Sequence, residues 1–103
     1  MFSVCDGHGL NGHKVSNDIK NEMPKLLEQY LSQDKDFVDI RNTKEFQERI
    51  PNYFRDVFKN IHEGLFHKNY DCHLSGSTVT AVLFDSKRVY CANAGDSRAV
   101  LFT

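Results

Sequence analysis

Apolar positions along this chain follow two periods, and the change between them divides it into parts. Residues 2–5, FSVC, form a short, partly alternating run that Asp6-Gly7 breaks, which predicts a strand ending in a turn. Beyond Gly12, the residues Val15, Ile19, Met23, Leu26, Leu27 and Tyr30 recur mostly at three- and four-residue steps, so one face of a helix is apolar. Pro24 lies inside that pattern and predicts a kink or a restart near Met23. Residues 32–43, SQDKDFVDIRNT, are polar and aperiodic and read as a connector, with Asn42 or Thr43 placed to cap a second helix. The apolar face of that helix runs through Phe46, Ile50, Phe54, Val57, Ile61 and Leu65. Pro51 divides it and can restart the helix from its first turn. Residues 67–76, HKNYDCHLSG, predict a loop.

The last third changes character. STVTAVLF, RVYCANA and SRAVLF are β-branched or apolar runs separated by DSK and GD, the pattern of an antiparallel three-stranded meander. Its first strand puts Val79, Ala81 and Leu83 on one face and Thr78, Thr80, Val82 and Phe84 on the other. Both faces are largely apolar, which calls for cover on each side. The helices can supply one cover, and little else in the chain can supply the other. The fold class is α+β: a strand, a helical middle, then three strands.

At 103 residues the chain is one domain at most. Thirteen basic against fourteen acidic residues leave a formal charge of -1, so there is no basic field for nucleic acid. No apolar run is long enough to cross a bilayer, and residues 1–20 carry charges and glycines where a signal peptide needs an apolar stretch. The expected location is cytoplasmic or nuclear. Cys5, Cys72 and Cys91 form no CxxC pair and are expected to be reduced and buried.

The chemistry concentrates in Asp6-Gly7-His8-Gly9. A carboxylate is a hard oxygen donor suited to Mg²⁺ or Mn²⁺, and a glycine lets its own carbonyl approach the same ion. His8 can present an imidazole at the edge of such a site and pass a proton to a leaving oxygen. Gly9 and Gly12 let the chain turn into the helix beyond them. Taken alone, these residues fit a Gly-rich strand-to-helix turn with Asp6 capping backbone amides at least as well. His13, His62, His67 and His73 fall on helices or loops without partners at zinc-ligand spacing, so no Cys72–His73 metal site is expected.

Further motifs in order change the balance. FSVCDGHGLNGHKVS, the SGST strand and VYCANAGDSRAVL together resemble the protein phosphatase 2C family, the PPM-type metal-dependent Ser/Thr phosphatases, across essentially the whole chain. The resemblance implies part of an α-β-β-α sandwich. It implies that Asp6 bridges two catalytic metal ions, Mg²⁺ or Mn²⁺, that the Gly7 carbonyl ligates one of them, and that His8 is the general acid. Asp96 resembles an aspartate that helps hold a third, weaker ion, whereas Ser97 and Arg98 are expected to make a turn contact or an ion pair. Ser75, Gly76, Ser77 and Thr78 are expected to pack or bond the sheet. The implied reaction is hydrolysis of phosphoserine or phosphothreonine in a phosphoprotein by metal-activated water, with no protein nucleophile and the cysteines as bystanders.

The resemblance also implies that residues 1–103 are a partial catalytic domain. The family has, before the first motif, a strand with an acidic ligand and a phosphate-gripping arginine, and it has further aspartates beyond the GDSR segment. The 103 residues alone are therefore expected to lack turnover, and to self-associate through the uncovered sheet face. A non-catalytic, phosphatase-like binding or regulatory module is the alternative reading.

Overall fold

In the computed structural model the described residues are 1–34, 44–71, 74–84 and 88–102, apart from the side chains of 45–47. The order of elements is β1 (Phe2–Val4), β2 (Gly7–His8), α1 (Gly12–Gln33), α2 (Lys44–Leu65), β3 (Gly76–Ser77), β4 (Val79–Phe84) and β5 (Val89–Ala94). The α+β class expected from the two periods is the one observed. The expected caps at Asn42 and Thr43, the DSK turn, Cys72, His73 and the Phe46 side chain lie outside the described residues.

Each helix buries the stripe its period laid down. On α1 these are Val15, Ile19, Met23 and Leu27; on α2 they are Ile50, Phe54, Val57 and Ile61, and all eight join one core with Val79 and Ala81. The two helices form an antiparallel pair, fastened at both ends. Asp34, just past α1, takes Arg49 at 2.7 Å and also accepts the Tyr53 hydroxyl. Burial first, then that bond to Asp34, raises the Tyr53 phenol above its usual range. At the other end Lys68 donates to Glu22 and Tyr70 donates to Asp18, so the segment after α2 is strapped to the first half of α1. Neither proline splits its helix: α1 runs through Pro24 and α2 through Pro51, so neither the restart near Met23 nor the division at Pro51 occurs. Both prolines are exposed while Met23 and Ile50 beside them are fully buried. The carbonyl that each proline deprives of a donor can thus be met by water, and packing of the opposite face holds the helix continuous.

The sheet departs from the expected meander in one respect. Its order is β1-β4-β5, all antiparallel, so the third strand is Phe2–Val4 from the start of the chain. Residues 97–102, the expected last strand, have no strand pairing among the described residues, and Val100, Leu101 and Phe102 are exposed. The run is apolar enough for a strand, but a strand exists only through a partner, and the free side of β5 receives none here. β2 and β3 add a two-stranded ladder at the end of the sheet.

One sheet face meets the helices, with Val79 and Ala81 in the core and Leu83, Tyr90 and Ala92 packed against it. The other face carries Phe2, Val4, Phe84 and Val89, between 51% and 72% exposed, with Phe2 and Phe84 in edge-to-face contact. Only the polar pair Thr80–Asn93, bonded at 2.7 Å, interrupts it. No helix of the described residues is long and apolar enough to cross a membrane.

The cysteines correct another expectation. Cys5 and Cys91 are free, as expected, but Cys5 is only half-buried and Cys91 is exposed on the outer face opposite Val82. Burial pushes the Cys5 thiol above its ordinary range, which suppresses the reactive thiolate. At mildly alkaline pH, iodoacetamide should therefore modify Cys91 faster than Cys5, as read by peptide mass spectrometry. Equal rates would contradict the placement of the two thiols.

Candidate functional site

The site is assembled where the start of the chain meets its last third. Phe2 opposes Val82, Ser3 opposes Ala81 and Val4 opposes Thr80; Gly7 opposes Ser77 and His8 opposes Gly76 in the same register. Asp6 is therefore opposite Thr78. There the Thr78 amide donates to the Asp6 carbonyl at 3.0 Å, while the Asp6 amide donates to the Thr78 hydroxyl at 3.2 Å rather than to a carbonyl. The regular ladder is interrupted at Cys5 and Asp6, between β1–β4 and β2–β3. The Asp6 carboxylate is left exposed, with no protein partner among the described residues.

The glycines beside it make room. A Cβ on Gly7 would stand 2.3 Å from the Gly12 carbonyl oxygen, so β2 can lie against the first turn of α1 only with a bare backbone. Gly9 turns the chain between them at φ +86. The start of α1 is then moored to the loop before β3: the Asn11 amide donates to Ser75 Oγ at 2.8 Å and its side chain to the Asp71 carbonyl at 2.6 Å.

His8 is held differently from Asp6. A Cβ on Gly76 would stand 2.9 Å from His8 Nε2, so the imidazole lies directly over the Gly76 backbone. It lines a cleft of about 300 Å³ whose floor includes Val15, Ile19, Ile61 and Val79. Gly76 thus has a role beyond bonding the sheet, and only the register of β2 with β3 reveals it.

Asp96 reaches the same end of the sheet from the other side. Val79 opposes Ala94, which carries Gly95 to a position opposite Thr78, and a Cβ on Gly95 would stand 2.7 Å from Thr78 Cγ2. Strands two places apart are separated by about 10 Å, so Asp6 and the Gly95–Asp96 turn flank Thr78 at about that spacing. Asp96 is exposed, and its carboxylate also has no protein partner among the described residues. Ser97, expected to make a turn contact or an ion pair, instead reaches across to the Thr78 hydroxyl, 3.0 Å away. Arg98 is exposed and makes no ion pair among the described residues.

The structure thus brings Asp6, Gly7, His8 and Asp96 to one edge of the molecule; His62 on α2 is exposed and lines the same cleft as His8, while His13 and His67 are exposed outside it. Among the described residues no three His, Cys, Asp or Glu side chains converge on one point. The donors at this edge are oxygens: two solvent-facing carboxylates and a glycine carbonyl. That set fits a hard, partly hydrated divalent cation such as Mg²⁺ or Mn²⁺ and does not fit zinc, which favours imidazole and thiolate.

The family model described as Protein phosphatase 2C matches residues 1–103. Probable protein phosphatase 2C 72 of Arabidopsis thaliana is 33% identical over 106 residues, covering 100% of this chain and 30% of its own length. Probable protein phosphatase 2C 64 of Oryza sativa subsp. japonica is also 33% identical, covering 98% of this chain and 22% of its own length. Protein phosphatase 2C homolog 3 of Schizosaccharomyces pombe is 35% identical, again over 98% of this chain and 21% of its own length. The chain spans less than a third of each of these relatives. No solved structure matches it. With the family model covering every residue and the DGH and GDSR segments meeting at one end of the sheet, the chain belongs to the protein phosphatase 2C family.

Proposed function

We propose that this chain carries part of the divalent-cation site and the general acid of a Mg²⁺- or Mn²⁺-dependent protein serine/threonine phosphatase. The supporting observation is the pair of solvent-facing carboxylates, Asp6 and Asp96, on either side of Thr78 with no protein group neutralising either among the described residues. Two exposed, uncompensated carboxylates at one sheet end give it a local negative charge and hard oxygen donors that favour divalent cations. When bound, such ions polarise phosphoryl oxygens and lower the pKa of water. Asp6 and the Gly7 carbonyl would hold the principal ions, and Asp96 a further one. His8, backed by Gly76, would give its proton to the leaving serine or threonine oxygen. The substrate in this reading is a phosphoserine or phosphothreonine side chain of a protein.

One carboxylate and one carbonyl supply few of the roughly six donors such an ion takes. The 103-residue chain alone is accordingly expected to show no turnover of a phosphothreonine peptide with Mn²⁺. A chimera in which residues 1–103 replace the aligned segment of the fission-yeast relative tests the chemistry. It should hydrolyse the peptide when Mn²⁺ is present, Asp6→Asn should abolish hydrolysis, and His8→Ala should lower kcat by about 10²–10⁴-fold without weakening Mn²⁺ binding. A folded, Mn²⁺-binding chimera without turnover would favour the binding or regulatory module, and full activity in Asp6→Asn would remove the aspartate from its role.

The exposed outer sheet face supports a second proposal for the isolated chain. Phe2, Val4, Phe84 and Val89 lie together there, and in the 103 residues alone the element best able to cover them is the same face of a second copy. Sedimentation equilibrium should show mass rising above the monomer with concentration, and Phe84→Glu should return it to monomer. A monodisperse monomer at high concentration would overturn this.

A further inference from the structure

The two carboxylates proposed above as cation ligands belong to segments far apart in sequence, yet one hydroxyl stands between them. Thr78, nine-tenths buried, lies between β3 and β4, immediately before the central strand. On one side its Oγ1 accepts the Asp6 amide at 3.2 Å; on the other it lies 3.0 Å from Ser97 Oγ. A hydroxyl oxygen has one proton to give and lone pairs to receive, so both contacts are met at once when one of the two hydroxyls donates to the other. The Thr78 carbonyl, which would ordinarily take the Asp6 amide across an antiparallel pair, instead accepts the Ser77 hydroxyl at 2.8 Å. The Asp6 backbone is thus held at this step by a side chain whose other bond goes to the Asp96 turn. Gly95 closes the arrangement sterically, since any Cβ there would strike Thr78 Cγ2 and separate the turn from the strand.

We infer that Ser97 is a positioning residue that couples the Asp96 turn to Asp6 through the Thr78 hydroxyl, so that a divalent cation engaging one carboxylate finds the other already placed. The inference rests on the proposed cation-binding reading. Ser97 touches neither cation nor substrate; it acts on the backbone that carries them. The turn needs such a tie because residues after β5 have no strand pairing among the described residues.

The test uses the ¹⁵N-labelled 103-residue chain and Mn²⁺, whose paramagnetism broadens nearby amide signals even when binding is weak. In the unaltered chain, amides 6–8 and 95–97 should broaden with one common midpoint. Ser97→Ala should separate the two midpoints and weaken the one at 95–97 by about tenfold or more, the usual consequence of losing a partner that orients a ligand. Ser97→Thr, which keeps the hydroxyl, should restore the common midpoint. Without Mn²⁺, Ser97→Ala should also speed hydrogen exchange at the Asp6 amide by about five- to tenfold. A common midpoint retained in Ser97→Ala, or unchanged exchange at Asp6, would overturn the coupling. Absence of broadening at amides 6–8 in the unaltered chain would instead overturn the cation-binding reading, while the exchange measurement still decides whether Ser97 fixes the Asp6 backbone.

Discussion

The structure depends on one antiparallel pairing, between residues 2–8 and 76–82. More than seventy residues separate its outer partners, so it closes the longest loop of the described strand pairings and carries their largest closure cost. The helical pair lowers that cost. With α1 and α2 antiparallel and strapped at both ends, the chain returns to where it began, and Asn11, Ser75 and Asp71 fasten the return at the first turn of α1. Without the pairing, β1 is three exposed residues and β2 is two, neither able to stand alone.

The same pairing makes the site. Asp6 occupies the one step of the ladder that a side-chain hydroxyl completes, and this interruption lies where the strand gives way to the glycine turn. A continuous strand would have bonded Asp6 through main-chain groups on the β4 side alone. Here the step leaves its carboxylate in solvent and ties its amide to the GDSR turn. Core and candidate site share one stretch: Val79 lies in the core, Thr78 before it bonds the Asp6 amide and the Ser97 hydroxyl, and Gly76 two residues earlier lies under the His8 imidazole.

The two sheet faces show how unevenly the chain is covered. Helices bury Val79 and Ala81 completely or nearly so, while Phe2 and Val4 on the opposite face stay more than two-thirds exposed. That apolar face belongs to a chain spanning less than a third of the relatives it matches.

The sequence by itself determined the two helical stripes and the strands Val79–Phe84 and Val89–Ala94, because period and residue type are local properties. It named Asp6, Gly7, His8 and Asp96 from ordered motifs. Tertiary structure decided that both prolines sit within unbroken helices, since packing of the buried face outweighs a missing donor on the wet side. It also decided that Phe2–Val4, rather than residues 97–102, completes the sheet, because a strand's partner is chosen by register and space and not by its own composition. Gly76 under His8, and Ser97 reaching Asp6 through Thr78, were invisible beforehand for the same reason: each is a contact across strands, and no local pattern encodes which residues will stand opposite one another.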